Sequence, residues 1–463
     1  MNSRQTFGSP MQHARPTPPE TRTRALLLRA ALIVFVLLPA ADLISFAILR
    51  LWLHKEYAPT LGFVWAWARS TWWHSTAIDD SWAPMRAALD WLHAHAGGNL
   101  YDRLFFVDHV KFQYAPSALL PLRALEALSL DSSDAALNRF DAWVILLNAA
   151  TCGLIAYLLA GRSDTNARFR WHWAILATLA TLTYFPLQRA FVLGQVQVWN
   201  NALFALAALA WILDRRLLAG ALIGLICLLK PQFLLFILWA VLRREWRFCA
   251  GWLGVVVIGG VTSLIVFGLS NHLGYLAVLR ALSRTGEAYI ANQSINGFLN
   301  RLVGTDATPD IWKANDFPVY SPIVYLGTLC TSAVLIGAAL LAPLRTRAQS
   351  RLFDFLCGAL TFTIASPIAW EHHFGIAPVI FLVLVLSLAV CAPSKTRTIA
   401  LVVLSASYFV TGVWLRGSWM LAGVLATLGL VYWSMFSASV RDPTTGPPAA
   451  RSRDTLTNPQ SPT

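Results

Sequence analysis

The chain has 463 residues, of which 57% are hydrophobic and 13% charged, with a formal net charge of +13 and a mean hydropathy of +0.56. A soluble protein of this length carries about twice that charged fraction, and apolar runs near the length needed to cross about 30 Å of hydrocarbon recur to the C-terminus. Composition therefore excludes a soluble domain. It also argues against a nucleic-acid binder, because the arginines fall in short clusters between apolar runs, as cytoplasmic loops require.

Residues 1–24 are polar, basic and rich in Pro and Thr, and are expected to be a disordered cytoplasmic tail. The run 29–49 is too long and too poorly terminated for a cleavable signal peptide. It reads as a signal-anchor with its N-terminus inside. Asp42 within it is either a site-facing acid or a helix-end residue near the outer interface. After it comes the stretch 78–116, IDDSWAPMRAALDWLHAHAGGNLYDRLFFVDHVKFQYAP, which carries Asp79, Asp80, Asp90, Asp102 and Asp108. Acids clustered beside a bilayer suggest chemistry at its surface, the plain alternative being a solvated connecting loop.

Parity orders the rest of the chain. The basic connectors 162–170, 214–216, 243–247, 345–351 and 395–397 should all lie inside. Crossings near 137–160, 171–187, 195–213, 250–269, 319–342, 352–369, 374–392, 398–415 and 418–437 satisfy them. Two stretches need a different reading. YAPSALLPLRALEALSL (114–130), with two prolines, Arg123 and Glu126, suits a broken helix in the outer interface. The run 217–242, basic at both ends, reads as a tight hairpin of two short helices with Lys230-Pro231 at its tip, one proline-kinked span being the alternative. Either way a lysine at that depth is expensive unless it faces a polar cavity or an anion.

The expected fold is thus an all-α polytopic membrane protein with about ten full transmembrane helices, the hairpin, and two long outer loops near 50–113 and 271–318. Both termini are cytoplasmic in this reading, the membrane domain spans 25–437, and 438–463 form a second disordered tail. The six cysteines have neither metal-ligand nor redox spacing. They read as small core residues of helices.

Four polar groups fall on the outer side. They are Asp79 and Asp80; Arg189, Gly194 and Gln195; Asn292, Ser294, Asn296, Asn300 and Arg301; and Trp370, Glu371, His372 and His373. The adjacent histidines lack the spacing of a helical zinc motif, so no metal is expected. Together the four groups supply a carboxylate, cations and amide donors on one membrane face. That inventory handles a phosphate-linked substrate beside a hydroxyl nucleophile.

Five segments in order carry a resemblance: FQYAPSALLPL (112–122), FVLGQVQVWNNALFALAALA (191–210), GALIGLICLLKPQFLLFILWAVLRREWR (220–247), NQSINGFLNRL (292–302) and SPIAWEHH (366–373). The chain from about 30 to 435 resembles glycosyltransferase family 87, which includes polyprenol-phosphate-mannose-dependent mannosyltransferases. The resemblance implies a GT-C membrane fold and an active site on the outer face of the inner or plasma membrane. It also implies a polyprenyl-phosphate sugar donor, mannose foremost, a lipid- or glycan-linked acceptor, and inversion by a carboxylate base in the first outer loop. The family pattern D-[FY]-x-V-[YF]-x-x-A-A falls on Asp80 through Ala88, making Asp80 the aligned base and Asp79 its neighbour. Ser81 and Pro84 stand where the pattern has aromatics, and Tyr114-Ala115-Pro116 replaces a usual Y-P-P.

A lipid phosphate is a good leaving group, so the acceptor hydroxyl must lose its proton as it attacks, and a carboxylate within about 3 Å can take it. Arg189, Lys230, Arg301 and His372 are the cations expected to face the departing phosphate. Gln195, Asn296, Glu371 and His373 complete the expected substrate contacts. No nucleotide-binding glycine loop is visible, and no cofactor is expected. The competing reading is a transporter or flippase of polyprenyl-linked sugars, against which the halves show no pair of corresponding interrupted helices. A scaffold of an envelope complex, the third reading, leaves the outer polar groups unexplained.

Overall fold

The computed structural model describes residues 79–95, 97–163, 166–313, 316–345, 350–437 and 440. The expected signal-anchor with Asp42, residues 50–78 of the expected first outer loop, the N-terminal tail and all of the C-terminal tail but Val440 lie outside the described residues. The described chain is helical, its one β feature being an isolated bridge between Asn292 and Trp370.

In chain order, α1 (Trp82–Ala94) and α2 (Leu100–Leu104) occupy the stretch expected to be the first outer loop. A 3₁₀ turn (Pro116–Leu119) and α3 (Leu120–Ala127) follow. The stretch 114–130 is therefore a broken pair of short helices and not a span, as its prolines require. Next come α4 (Asp134–Ser163), α5 (Ala167–Leu182), α6 (Phe185–Val192), α7 (Gln197–Ile212) and α8 (Arg216–Leu229). A second 3₁₀ turn (Pro231–Leu234) leads to α9 (Leu235–Leu242) and the 40-residue α10 (Trp246–Thr285). The remaining helices are α11 (Ile295–Val303), α12 (Pro322–Arg345), α13 (Arg351–Ile364), α14 (Ala377–Ala389, entered through a 3₁₀ turn at Glu371–Ile376), α15 (Lys395–Gly412) and α16 (Trp419–Phe436).

Among the described residues, five stretches are long and apolar enough to cross a membrane: Asp134–Arg162, Trp246–Thr285, Pro322–Leu344, Glu371–Ala389 and Trp419–Phe436. A sixth forms if α5 and α6, bent by 47°, count as one span. The crossings expected at 195–213 and 352–369 fall on helices of 16 and 14 residues, and the one at 398–415 on a helix that begins with Lys395 and Arg397. The second outer loop needs correction. It is helical to Thr285 and again over α11, because α10 runs on past a break at Gly268 (φ 79°), a left-handed backbone that glycine adopts without strain.

The glycines of α8 and α10 decide the hairpin. A Cβ on Gly220 would stand 2.0 Å from the Phe248 carbonyl oxygen, and one on Gly251 would stand 1.9 Å from that of Leu217. The two backbones touch. Further along, Gly224 approaches Val255 and Gly259 approaches Leu228, so α8 and the first half of α10 run parallel from the same end. The chain between them must come back, and α9 is that return. At the tip, Lys230 is extended (φ −135°, ψ 98°), as the residue before a proline prefers.

The α14 helix lies at the centre with Val383, Leu384 and Leu388 fully enclosed, whereas α10 and α12 turn apolar residues outward, Ile265 being 79% and Val334 70% exposed. An apolar outer surface on peripheral helices is what lipid contact selects. A second, smaller core joins Trp82, Met85, Tyr101, Phe112 and Leu122 to Tyr275, Val278 and Leu282 beyond the kink of α10. The basic connectors gather at the opposite end. There Arg162 donates to the Ile212 carbonyl (3.2 Å), and Arg243 donates to Asp354 at 2.7 and 2.8 Å and to the carbonyls of Ala339 and Leu340. Of the cysteines, Cys152, Cys227, Cys249 and Cys357 are buried as expected, while Cys330 is exposed on α12.

Candidate active site

At the entry to α1 the chain docks against the turn between α6 and α7. The Asp80 amide donates to the Leu193 carbonyl (2.9 Å) and the Ser81 amide to that of Gly194 (3.1 Å). This backbone pairing sets the side chains. Gln195 Nε2 donates to Asp80 Oδ2. Gln195 Oε1 accepts from Ser81 Oγ at 2.8 Å, and the Tyr114 hydroxyl stands 2.8 Å from Ser81 Oγ and 3.3 Å from Gln195 Oε1. Ser81 also accepts from the Val196 amide at 3.1 Å. A fully buried hydroxyl thus orients the amide that orients the carboxylate. Burial raises the pKa of the Tyr114 phenol, so its proton stays in place to be donated.

The Asp80 side chain is open to water from the cavity although protein surrounds it. That surrounding protein raises its pKa above the ordinary carboxylate value. The Gln195 hydrogen bond and the nearby Arg189 act in the opposite direction. The result is a carboxylate more basic than a free one and fixed in direction.

Ahead of α14, two sequence motifs interlock. Asn292 Oδ1 accepts from the Ala369 amide (2.9 Å), Asn292 Nδ2 donates to the Pro367 carbonyl (3.1 Å), and Ser294 Oγ donates to the same carbonyl (2.9 Å). The Gln293 amide donates to Ala369 and the Glu371 amide to Ala291. This clamp holds Trp370 through His373 in place. His373 Nε2 then lies 2.8 Å from Lys230 Nζ, which comes from the hairpin tip. When Lys230 is protonated it can only donate, and His373 then accepts there through Nε2. The buried His373 Nδ1 and His372 Nε2 have no partner among the described residues. Glu371, buried, is 3.9 Å from Arg189 Nε, an ion pair too long for a hydrogen bond.

These groups meet around one cavity of about 700 Å³. Asp79, Asp80, Gln195, Lys230 and His373 line it, whereas Arg189, Glu371 and His372 do not. Asn296 and Arg301 are not brought to it. Asn296 bonds Asn300 (2.8 Å), Thr328 (3.1 Å) and the Glu287 amide. Arg301 donates to the carbonyls of Ala288, Tyr289 and Asn292 and to Ser418 Oγ. Both are framework groups of the segment that ends in the clamp. No group of His, Cys, Asp and Glu suited to a metal ion occurs among the described residues.

Three features carry no local signal in the sequence. Ser81, which departs from an aromatic pattern, is the hub of the Gln195 network. Lys111 is buried on Glu287 (2.8 Å) with its Nζ 4.2 Å from the Trp312 ring centroid. Trp312 itself, with Trp370, lines the cavity. All three depend on contacts between residues 33 or more apart in the chain, beyond the reach of any periodicity.

The profile of glycosyltransferase family 87 matches residues 112–367, more than half of the chain. A polyprenol-phosphate-mannose-dependent alpha-(1-2)-phosphatidylinositol mannoside mannosyltransferase of Mycobacterium tuberculosis is 25% identical over 311 residues, covering 62% of this chain and 65% of that protein. Its namesake in Mycolicibacterium smegmatis is 23% identical over 338 residues, 71% of this chain and 72% of that one. The M. tuberculosis polyprenol-phosphate-mannose-dependent alpha-(1-2)-phosphatidylinositol pentamannoside mannosyltransferase is 30% identical over 241 residues, half of each chain. This chain therefore spans between half and somewhat under three quarters of these relatives' length. No solved structure matches it. The profile match places the chain in glycosyltransferase family 87.

Proposed function

We propose that the protein transfers a mannosyl residue from a polyprenyl-phosphate donor to a hydroxyl of a lipid- or glycan-linked acceptor, with inversion, on the outer face of the membrane. The relatives' names describe the same donor and phosphatidylinositol mannoside acceptors. The observation that carries the reading is the composition of the cavity wall. Asp80 and Lys230 share it with Leu229, Leu234, Leu235, Leu279 and Ile336, so a basic carboxylate and a cation adjoin an apolar trough at the hairpin tip. A polar head on an isoprenoid chain matches that division.

In the proposed reaction the acceptor oxygen bonds to the anomeric carbon as its proton passes to Asp80. The bond from that carbon to the phosphate oxygen breaks, and polyprenyl phosphate leaves with the electron pair. Lys230, steadied by His373, faces the growing phosphate charge, and Arg189 adds a positive field from behind Gln195 and Asp80. Glu371 holds Arg189, and His372 contributes polar bulk beneath the clamp.

The proposed topology has about ten full crossings and the hairpin. The shorter helices α7 and α13 complete their crossings through the turns on either side of them. The catalytic domain is 25–437, the tails 1–24 and 438–463 are cytoplasmic, and the cavity faces outside. Single cysteines at Thr60 and Asp306 should then react with an impermeant maleimide applied from outside, and one at Arg347 should not. Labelling of Arg347 alone would reverse the orientation. For the activity, membranes containing the protein are incubated with radiolabelled polyprenyl-phosphate sugars, mannose among them. Transfer from the mannose donor supports the reading, and transfer from none of the panel overturns it.

A further inference from the structure

The wall of the cavity carries a group of aromatic rings that neither the proton transfer nor the phosphate contacts use. Trp312 and Trp370 line the cavity, their ring centroids 5.4 Å apart at an interplanar angle of 74°. Tyr289 backs both, 5.4 Å from Trp312 and 6.1 Å from Trp370. Three mutually tilted rings make a concave apolar corner. Lys111 Nζ takes one face of Trp312, yet the residue keeps 41% of its surface open. An indole left this open beside the cavity needs a reason, since burying it would be favourable.

The corner is also held in place. The Ile290 amide donates to the Pro309 carbonyl (2.8 Å), Lys313 pairs with Asp306 (2.7 Å), and Arg416 pairs with Asp310. Trp370 is fixed by the clamp through the backbone bonds of its neighbours Ala369 and Glu371. A preorganised aromatic surface beside carboxylates and amides suits a pyranose ring. The C–H face of such a ring is apolar, and its hydroxyls point outward to polar neighbours such as Asp79 and Gln113 on the same cavity.

We infer that Trp312 and Trp370, backed by Tyr289, form a stacking platform for a pyranose ring of the acceptor. This rests on the proposed transfer reaction and adds to it the residues that hold the acceptor's sugar ring. The placement favours acceptor over donor. The donor phosphate belongs at Lys230 between the two short apolar helices, whereas Trp312 is on the largely exposed segment between α11 and α12.

The test uses the full-length protein in nanodiscs with a polyprenyl-phosphate mannose donor and an alkyl mannoside acceptor. Trp312→Ala should raise the acceptor KM about tenfold and leave the donor KM within about twofold, while Trp312→Phe, which keeps a flat ring, should restore most of the loss. An unchanged acceptor KM, or equal rises in both constants, overturns the platform. Saturation-transfer NMR with methyl α-mannopyranoside reads the same contact without turnover, and loss of the signal in Trp312→Ala but not in Trp312→Phe supports it. If the wild type transfers no sugar yet shows this NMR pattern, the proposed reaction fails and the platform stands. If the wild type transfers sugar and the NMR signal is indifferent to Trp312, the platform alone fails. Should Trp312→Ala not fold, Trp312→Leu, which removes the flat ring but fills the space, is expected to lose the NMR signal, and its retention is overturning.

Discussion

At the basic end of the bundle, Arg243 makes four hydrogen bonds, two to Asp354 and one each to the carbonyls of Ala339 and Leu340, and Trp239 adds a bond to the same carboxylate. At the other end, Lys230 has a histidine ring for a neighbour, Asp80 accepts a neutral amide, and Arg189 stands 3.9 Å from Glu371. The first arrangement is closed, with its charges satisfied by protein. The second leaves charges with capacity for a further partner. Closed pairs hold helix ends together, and open ones are where a charged ligand gains most. Lys111 shows that the end bearing the cavity can build the closed kind too, since Glu287 neutralises it inside an aromatic sleeve.

The largest effect expected from this contrast is structural. Arg243→Met leaves Asp354 buried without its partner and should lower stability by about 3–5 kcal/mol, read as a fall in the thermal midpoint in detergent. A midpoint within error of the wild type would show that the basic end is not closed in the sense argued.

Next is Asp80→Asn, which keeps shape and hydrogen bonding but cannot take a proton. Turnover should drop by about 100-fold or more with donor affinity nearly unchanged. Asp79→Asn should have the smaller effect. Full transfer by both variants would move the base elsewhere in the cavity. The fold should not suffer from Asp80→Asn. Because burial raises the folded pKa of Asp80, its ionisation opposes folding above that pKa, and the amide removes the penalty at neutral pH.

Lys230→Met comes third. Loss of one charged hydrogen bond to the donor phosphate should weaken donor binding by about 1.5–3 kcal/mol while the protein stays folded. Unchanged donor affinity would assign Lys230 to packing of the hairpin tip and blur the distinction between the two ends.

The smallest predicted effect is on pH dependence. Gln195 lowers the Asp80 pKa against the raising effect of burial, so Gln195→Leu should move the acid limb of kcat/KM to higher pH. Ser81→Ala, which loosens Gln195 without removing it, should move the limb in the same direction and less far. A limb that stays put in both would mean that the titrating base is not Asp80.

Much of this was written locally. Apolar run lengths and basic connectors predicted the helices and the end at which Arg162, Arg216 and Arg243 gather, because lipid burial and backbone satisfaction act segment by segment. Pro231 after Lys230 marked the hairpin tip, and the prolines of 114–130 marked a broken helix, since a missing N–H acts within one turn. Tertiary structure decided which polar residues meet. Asn296 and Arg301 looked like ligands for a substrate, yet Asn296 donates to the Thr328 hydroxyl and accepts from Asn300, and Arg301 donates to the carbonyls of Ala288, Tyr289 and Asn292 and to the Ser418 hydroxyl. Ser81 looked like a defect in a motif and instead orients Gln195, 114 residues away. The continuation of α10 past Gly268 hid in a stretch polar enough to pass for a loop, because its buried face packs on α1, α2 and the residues that follow them. Periodicity reports what one segment needs to bury, whereas a hydrogen-bonded site depends on which segments come together, and that is set by the packing of the whole chain.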